Sequence, residues 1–434
     1  MRIHLRAALG LCSVLLGLGA CEEPKIAGSK GVVRVGRHNC ASLGDGNVRC
    51  WGGGEELPYV TNWAGGADPE QLYAIAPVHI APGVTDFDTD DAMCVVTRDG
   101  DVWCFGNNLS AGEEVRTPYR PSITSVGEPF VHVRTGQGRT CGITEAGRAW
   151  CWGENSAGEL GLGDIGDVGD DETPQSVGPL PIEADVKSVA FAWRETCVLT
   201  TAGVVRCWPA GTGAADGTTV DLPSSAEQIT AGTEHFCARL EDGRVYCWGQ
   251  VAGGRLGLGL GSVSGPCSTC DDGPQCCIGD DESVASAGPV ALGGRATDID
   301  AGTGVTCAVL EAGGVRCWGR STYGVVGLAE VQVVGKHETP DAVPTLDLGG
   351  PAQQVSVGSS EACAWMTDES IRCWGWTDWW DGFDDHVCWI ETEIPSDGSH
   401  GIFPTIEREF SCELHPRCCI GDDESPKDGP LVPL

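Results

Sequence analysis

Paired cysteines are the residues of this sequence whose type and spacing most directly predict chemistry. Cys40 and Cys50 stand ten positions apart, and the same spacing returns in six further segments. Zinc sites usually place about two to four residues between paired ligands, so the longer spacing favours disulfides over a metal site. The fourteen paired cysteines are Cys40, Cys50, Cys94, Cys104, Cys141, Cys151, Cys197, Cys207, Cys237, Cys247, Cys307, Cys317, Cys363 and Cys373.

Each cysteine pair encloses a turn. Six residues after the first cysteine stands a glycine in six copies, and the seventh copy has Glu369 there. A glycine at the end of a three-residue loop is typical of a type I turn followed by a left-handed residue. That loop sets the cysteines opposite each other as a non-hydrogen-bonded pair with Cα atoms about 4.5 Å apart, within reach of a disulfide. The sequence therefore predicts disulfide-closed hairpins at 40–50, 94–104, 141–151, 197–207, 237–247, 307–317 and 363–373.

An aromatic residue follows the second cysteine of every hairpin. These residues are Trp51, Phe105, Trp152, Trp208, Trp248, Trp318 and Trp374. A lone hairpin is too small to bury such a ring, whereas stacked repeats cover one another's apolar faces. The first cysteines recur at intervals of 40 to 70 residues, which suits a four-stranded blade with loops of varying length. We therefore predict an all-β fold, a seven-bladed β-propeller over residues 31–434.

Two repeats carry the most recognisable sequence, GQGRTCGITEAGRAWCWGENSAGELGLGD at 136–164 and GTEHFCARLEDGRVYCWGQVAGGRLGLG at 232–259. They resemble the repeat of the regulator of chromosome condensation family, in its cysteine-bearing bacterial form. The resemblance implies a seven-bladed propeller and, for the nuclear member, guanine-nucleotide exchange on a small GTPase.

A second internal signature leads to an expectation about ring closure. The segments GDDETPQSVGPL (169–180), GDDESVASAGPV (279–290) and GDDESPKDGPL (421–431) each end in a short apolar stretch. No such segment precedes the first hairpin. We therefore predict that residues 429–434 complete the blade begun by residues 31–36, which ties the two chain ends together and removes an exposed sheet edge.

The first residues of the chain have the pattern of an export signal. Arg2 and Arg6 precede an apolar stretch at 7–18 that is too short to span a bilayer, and Leu18-Gly19-Ala20-Cys21 resembles a bacterial lipobox. We expect residues 1–20 to be a lipoprotein signal peptide, Cys21 to be lipidated and residues 21–30 to form a tether. Glu22, rather than Asp, after the cysteine favours the outer membrane or the cell surface. The lipid is then the expected membrane contact.

Eight further cysteines fall in two loops. Export favours additional disulfides among them, with the pairing left open, and a metal cluster is the alternative. They are Cys267, Cys270, Cys276, Cys277, Cys388, Cys412, Cys418 and Cys419.

Large rings concentrate after the seventh hairpin. Trp376, Trp379, Trp380 and Phe383 lie within one segment. Exposed, they would form a rigid apolar surface that anchors a protein or sugar ligand. The alternative is that they pack inside their own loop.

Acidic residues dominate the charge of the chain. With 62 acidic and 27 basic residues the formal net charge is −35. This excess disfavours nucleic acid as a partner, because phosphate binding needs a basic surface. Asp86, Asp88 and Asp90 alternate along one segment and make calcium the one candidate cofactor, although the glycine and distal glutamate of the helix-loop-helix calcium loop are missing.

Three functions follow from these features. The first is a lipid-anchored surface propeller, expected to be a monomer, that binds an extracellular or envelope protein or glycan. The second is an envelope enzyme with carboxylates at the propeller axis, although the sequence contains no recognised catalytic motif and assigns no catalytic residue. The third is nucleotide exchange, which export disfavours because small GTPases are cytosolic, and fold resemblance alone does not establish the activity.

Overall fold

The structure is a computed structural model of the chain. It describes residues 32–36, 39–42, 48–51, 83–90, 92–106, 122–163, 165–169, 172–261, 277–279, 283–320, 324–328, 333–376, 419–420 and 431–432. Among these residues, no helix is long and apolar enough to cross a membrane.

Seven antiparallel sheets follow one another along the chain, and each is one blade. Blade 1 contains β1 (Val32–Arg34), β2 (Asn39–Ser42) and β3 (Val48–Trp51). Blade 2 contains β4 (Val84–Thr89), β5 (Ala92–Thr97), β6 (Val102–Gly106) and β7 (Ser122–Thr124). Blade 3 contains β8 (Phe130–Gly136), β9 (Arg139–Thr144) and β10 (Ala149–Gly153). Blade 4 contains β11 (Val186–Ala192), β12 (Glu195–Thr200), β13 (Val205–Pro209) and β14 (Thr218–Thr219).

The later blades repeat this order. Blade 5 contains β15 (Ala226–Ala231), β16 (His235–Leu240), β17 (Val245–Gln250) and β18 (Cys277–Ile278). Blade 6 contains β19 (Ala296–Ala301), β20 (Val305–Leu310), β21 (Val315–Arg320) and β22 (Val333–Val334). Blade 7 contains β23 (Ala352–Val357), β24 (Glu361–Met366), β25 (Ile371–Trp376), β26 (Cys419–Ile420) and β27 (Leu431–Val432). Two short helices, α1 (Pro174–Val177) and α2 (Val284–Ala287), lie in connections between blades.

The second and third strands of each blade form the predicted disulfide-closed hairpin. All seven cysteine pairs are bonded, with Cα atoms 4.0–4.1 Å apart. The turn glycines that the structure describes, such as Gly243 with φ 79°, take the left-handed conformation. Glu369 takes it too, with φ 68°, so the seventh turn has the same geometry as the others. The predicted hairpin register is confirmed.

Replacing Cys237 and Cys247 together with alanine is expected to lower the free energy of unfolding by about 2.5 kcal/mol, because the bridge restricts a loop of about ten residues in the unfolded chain. Urea unfolding under oxidising conditions measures the loss. In a strong reductant the variant and the parent protein should converge. Equal midpoints without reductant would contradict the prediction.

The aromatic residue after each hairpin lies in the joint between blades. Where its side chain is described it is buried. Three indole N–H groups donate to a carbonyl in the Gly-Xaa-Xaa-Gly turn of the preceding blade, which explains why ring and turn recur together. The three bonds are Trp208 to Glu159 at 3.2 Å, Trp318 to Arg255 at 3.0 Å and Trp374 to Val325 at 2.8 Å.

The predicted closure by the C-terminal strand is wrong in its partner. β27 pairs with β25 in blade 7, with Val432 opposite Ile371, and does not join β1. The two earlier copies of the signature behave alike, since Leu180 donates to Ala149 and Val290 donates to Val245, each within its own blade. The signature therefore covers the outer part of its own blade. Blades 1 and 7 meet instead through a shared hydrophobic cluster and through side chains at the axis.

Candidate ligand site in the axial cavity

The first strands of the seven blades surround a central cavity of about 370 Å³. Each first strand pairs with the hairpin on one side and turns its other edge toward the axis. The cavity extends to the turn between the first and second strands, where Gln137, Thr233, Thr303 and Ser359 line it. Residues of the first strands therefore decide what the cavity binds.

The hairpin cysteines identify equivalent residues in the seven blades. One residue of every first strand pairs with the first cysteine of its hairpin, and all seven of these residues line the cavity. We call them the middle ring. Its members, from blade 1 to blade 7, are Arg34, Asp88, Arg134, Ala190, Thr230, Asp300 and Ser356.

Side chains of one blade accept hydrogen bonds from the backbone of the next. At an open sheet edge, alternate N–H groups point away from the neighbouring strand and need an acceptor. Blade 2 supplies three acceptors to blade 3. The bonds run from the N–H of Val133 to Asp86 at 3.1 Å, of Thr135 to Asp88 at 3.0 Å and of Gln137 to Asp90 at 2.9 Å.

The same arrangement joins blades 5, 6, 7 and 1. Neutral acceptors replace the carboxylates at two of these three joints, and the joint from blade 7 to blade 1 closes the ring. The bonds run from Ile299 to Gln228 at 3.3 Å, Ala301 to Thr230 at 3.0 Å, Val355 to Asp298 at 2.9 Å, Val357 to Asp300 at 2.8 Å, Val33 to Gln354 at 3.0 Å and Val35 to Ser356 at 3.0 Å.

Four carboxylates and two guanidinium groups line the cavity. Arg34 lies 3.3 Å from Asp88, and Arg134 lies 3.0 Å from Asp86 at the edge of the cavity. Burial acts to raise the pKa of Asp86, but Arg134 and the hydrogen bond with His132 outweigh it and lower the pKa to about 2. Both arginines of the cavity are thus paired with carboxylates, so the charge of the other ionisable groups in the cavity is negative.

Asp298 and Asp300 form a second carboxylate pair of the cavity, on the first strand of blade 6. Burial raises the pKa of Asp298 to about 6 and also raises the pKa of Asp300. Asp298 accepts a further bond from Gln228 at 2.8 Å, and Asp300 accepts from the hydroxyls of Thr230 and Ser356. Every oxygen of this carboxylate pair is thus engaged with a neighbouring blade.

The candidate calcium ligands Asp86, Asp88 and Asp90 follow one another along the inner edge of blade 2. Each accepts a backbone N–H of blade 3, so an ion would compete with three donors. Calcium binding there stays a prediction. Within the described ranges, three ligand-type side chains converge at Glu195, Cys197 and Cys207, and the two sulfurs are already joined in a disulfide.

A polar contact near the cavity mouth links neighbouring hairpins. At three joints, the residue two positions before the first cysteine contacts the residue one position before the first cysteine of the next blade. The contacts are Arg139 with Thr196 at 3.0 Å, His235 with Thr306 at 2.7 Å and Glu361 with Asn39 at 2.7 Å. Burial lowers the pKa of His235 to about 3, so this joint uses a neutral imidazole.

Blade 4 makes no such contact with blade 5. Its residue at the first of these positions is Glu195, and blade 5 has Phe236 at the second, whose side chain offers no hydrogen-bond donor. Burial raises the pKa of Glu195 to about 7. Blade 4 therefore holds an acid without a partner of the kind that these three joints provide.

The sequence did not single out Trp193, which is 60% exposed in the turn between β11 and β12. Its backbone N–H donates to Thr233 at 2.7 Å, and Thr233 lines the cavity. An exposed tryptophan thus stands beside the cavity mouth. No periodic signal marks it, whereas the alternation of Asp298 and Asp300 repeats that of Asp86 and Asp88 and could have identified the second carboxylate pair.

Several predicted site residues lie outside the described residues. For Trp376 and Cys419 only the backbone is described, in β25 and β26, and Cys277 in β18 is disulfide-bonded. The lipidation site, the ring-rich segment and the pairing of the loop cysteines stay predictions. The residues that fall wholly outside are Cys21, Cys267, Cys270, Cys276, Trp379, Trp380, Phe383, Cys388, Cys412 and Cys418.

Comparison with known proteins identifies relatives with the same repeat. A family model described as regulator of chromosome condensation (RCC1) repeat matches residues 130–159 and 226–250, and a second model of this repeat matches residues 146–199. The ultraviolet-B receptor UVR8 of Arabidopsis thaliana is 27% identical over 277 residues, which are 59% of this chain and 56% of the receptor. The human E3 ubiquitin-protein ligase HERC2 is 27% identical over 150 residues, 35% of this chain and 3% of the ligase. The chain thus spans about half of the receptor and a small part of the ligase.

Solved structures support the fold. The structure of Kap60 bound to yeast RCC1 (Prp20) matches with a TM-score of 0.56 and 15% identity, covering 87% of each chain. Prp20p from Saccharomyces cerevisiae matches with a TM-score of 0.51 and 17% identity over 66% of this chain and 70% of that one. Human WBSCR16 matches with a TM-score of 0.52 and 17% identity over 69% of this chain and 78% of that one. At these identities the shared property is the propeller fold.

Proposed function

Because the chain belongs to the regulator of chromosome condensation repeat family, we propose that it is a lipid-anchored propeller of the outer membrane or cell surface that binds an extracellular or envelope protein or glycan. The observation that carries this proposal is the exposed Trp193 beside an axial cavity in a ring of seven disulfide-closed hairpins. A rigid scaffold loses little conformational entropy when its surface binds a partner.

The disulfides support an extracellular site of action. Disulfides persist in oxidising compartments and are rare in the cytosol. The sequence adds a charged, then apolar, N-terminus ending in a lipobox-like tetrapeptide at Cys21. A propeller of this kind is built to stay folded outside the cell.

The relatives support a binding role. Prp20p has binding properties to Gsp1p and histones, and yeast RCC1 (Prp20) forms a complex with Kap60. Propellers of this type thus serve as protein-binding surfaces. Tryptophan is enriched among the residues that contribute most to protein interfaces, and Trp193 offers such an anchor here.

An envelope enzyme with an axial carboxylate site is the second candidate. The observation that favours it is that Asp298 and Asp300 lie in one cavity. Their oxygens already accept bonds that hold blades 6 and 7 together, which fits a structural role better. Nucleotide exchange is the third candidate, and it is the least supported because its substrate complex is cytosolic.

Affinity capture tests the binding proposal. Mature protein spanning residues 22–434 is made through an oxidising export route and exposed to a solubilised envelope and culture-medium extract. Trp193→Ala and the double variant Trp379→Ala/Trp380→Ala test the two aromatic surfaces, and Val204→Ala, an exposed residue of the blade 4 hairpin, is the matched control. We expect a specific protein or glycan that is lost with one aromatic variant and kept with Val204→Ala.

Two other results separate the remaining candidates. Capture that is equal in all variants would place the site elsewhere on the propeller. Empty capture together with turnover of an envelope polysaccharide that Asp298→Asn abolishes would favour the enzyme. In cells, Cys21→Ser should lose incorporation of labelled palmitate, and retained labelling would overturn the anchor.

A further inference from the structure

Three of the seven joints of the axial ladder lack a middle-ring side-chain acceptor, and two of these three, before blades 4 and 5, are adjacent. In blades 3, 6, 7 and 1, middle-ring side chains of the preceding blade accept the N–H groups that face the axis. The corresponding middle-ring residues before blades 2, 4 and 5 are Arg34, Arg134 and Ala190. A guanidinium has no acceptor, and neither has a methyl group. No middle-ring side chain therefore accepts the N–H groups of blades 4 and 5 that face the axis.

In blades 4 and 5, the N–H groups at this register position belong to Phe191 and Ala231. Phe191 and Thr135 occupy the same register position, because each pairs with the residue just before its first hairpin cysteine. The N–H of Thr135 points at Asp88 across the joint. Arg134 instead turns back to Asp86 at 3.0 Å, so nothing in the described part of the chain accepts the N–H of Phe191.

Blade 5 repeats this situation. Ala231 pairs with Phe236, just before Cys237, and is the register equivalent of Val357, whose N–H bonds Asp300. The residue of blade 4 that would supply the acceptor is Ala190. Phe191, Ala190 and Ala231 all line the cavity. Two unused backbone donors thus lie in one sector of the cavity, next to the turn that carries Trp193.

We propose that this sector binds a neutral sugar residue of a glycan, with sugar oxygens accepting from the N–H groups of Phe191 and Ala231. This proposal rests on the proposed binding function and names its ligand class. The volume of about 370 Å³ falls in the range of small-molecule sites, about 300–1,000 Å³.

The surrounding charges select a neutral ligand. Free N–H donors need an oxygen acceptor, which excludes a bare cation as their partner. An anionic ligand would meet Asp88, Asp298 and Asp300 in the same cavity and be repelled. A hydroxyl group both accepts and donates, so a sugar satisfies the backbone donors and still donates to the carboxylates.

Trp193 adds a surface of the right shape. It stands 60% exposed two residues after Phe191, and its ring offers a flat apolar face to the C–H side of a sugar. The turns of blades 5, 6 and 7 hold Gly232, Gly302 and Gly358, and the missing side chains let the backbones of these neighbouring turns approach closely. The backbone donors and the exposed ring together therefore fit a single sugar residue.

The test is a glycan array of neutral and acidic saccharides probed with the mature protein, followed by titration of the best neutral binder. Ala190→Asn supplies the missing acceptor, as Asp300 does in blade 6, and should weaken binding about tenfold or more while the protein stays folded. Trp193→Ala should also weaken it about tenfold. Val204→Ala should change it less than about twofold.

Each result decides the proposal. Binding of neutral glycans that both variants weaken supports it. No neutral glycan bound, preference for acidic glycans, or equal binding by Ala190→Asn overturns it. If Ala190→Asn does not fold, Trp193→Ala decides alone, since that side chain is exposed. A protein captured from the envelope without glycan binding would overturn the sugar site and leave the binding function standing, whereas no ligand of either kind would remove both.

Discussion

Replacing Asp300 with alanine is expected to lower the free energy of unfolding by about 4 kcal/mol, because the carboxylate joins three blades and leaves buried donors unpaired when removed. It accepts from Thr230 of blade 5 at 2.9 Å and from Ser356 and the N–H of Val357 of blade 7 at 3.0 and 2.8 Å. The N–H of Val357 faces the axis and has no other acceptor among the described residues. The loss is therefore larger than that of a surface hydrogen bond.

Asp300→Asn is the matched control. The amide oxygen of the variant still accepts the N–H of Val357. The buried charge is removed, and in the parent protein the burial of that charge raises the pKa of Asp300. We expect this variant to lose less than about 1.5 kcal/mol. Urea unfolding of the three proteins at one pH measures the order. Equal losses for alanine and asparagine would show that the charge, rather than the hydrogen bonds, holds the joint.

The hairpins could be predicted from the sequence because all their determinants are local. The spacing from Cys237 to Cys247 and the glycine at 243 fix one register, whatever surrounds the hairpin. The partner of the C-terminal strand could not be predicted in this way. The residues Leu431 and Val432 suit an edge strand of blade 1 or of blade 7 equally well. Which strand they pair with depends on contacts between residues distant in sequence.

The axial site could not be predicted from one strand alone, because it also depends on the neighbouring strand. Asp86, Asp88 and Asp90 alternate as calcium ligands do, yet the groups they meet are backbone donors of blade 3. A backbone N–H that faces the axis is not marked by any particular residue type in the sequence. The missing acceptor at Ala190 becomes visible only after the cysteine register aligns it with Asp88 and Asp300.

Replacing Glu195 with glutamine is expected to stabilise the protein above pH 7 and to have little effect below pH 4.5. Burial raises the pKa of Glu195 from 4.5 to about 7 in the folded protein. Below pH 4.5 the carboxyl is protonated in both states, so its charge costs nothing. Between pH 4.5 and 7 the unfolded chain releases the proton and the folded protein retains it, so the stability of the parent protein falls with rising pH.

The difference should reach about 3 kcal/mol above pH 7, since each unit of pKa shift corresponds to about 1.4 kcal/mol. Urea unfolding of both proteins from pH 4 to pH 8 measures it, and every other titrating group cancels in the comparison. Glu311→Gln, at a carboxylate that is 59% exposed, is the control and should show no such rise. A difference in the free energy of unfolding that stays constant from pH 4 to pH 8 would contradict the prediction. It would mean that Glu195 is charged throughout and that a residue of blade 5 other than Phe236 supplies a hydrogen-bond donor.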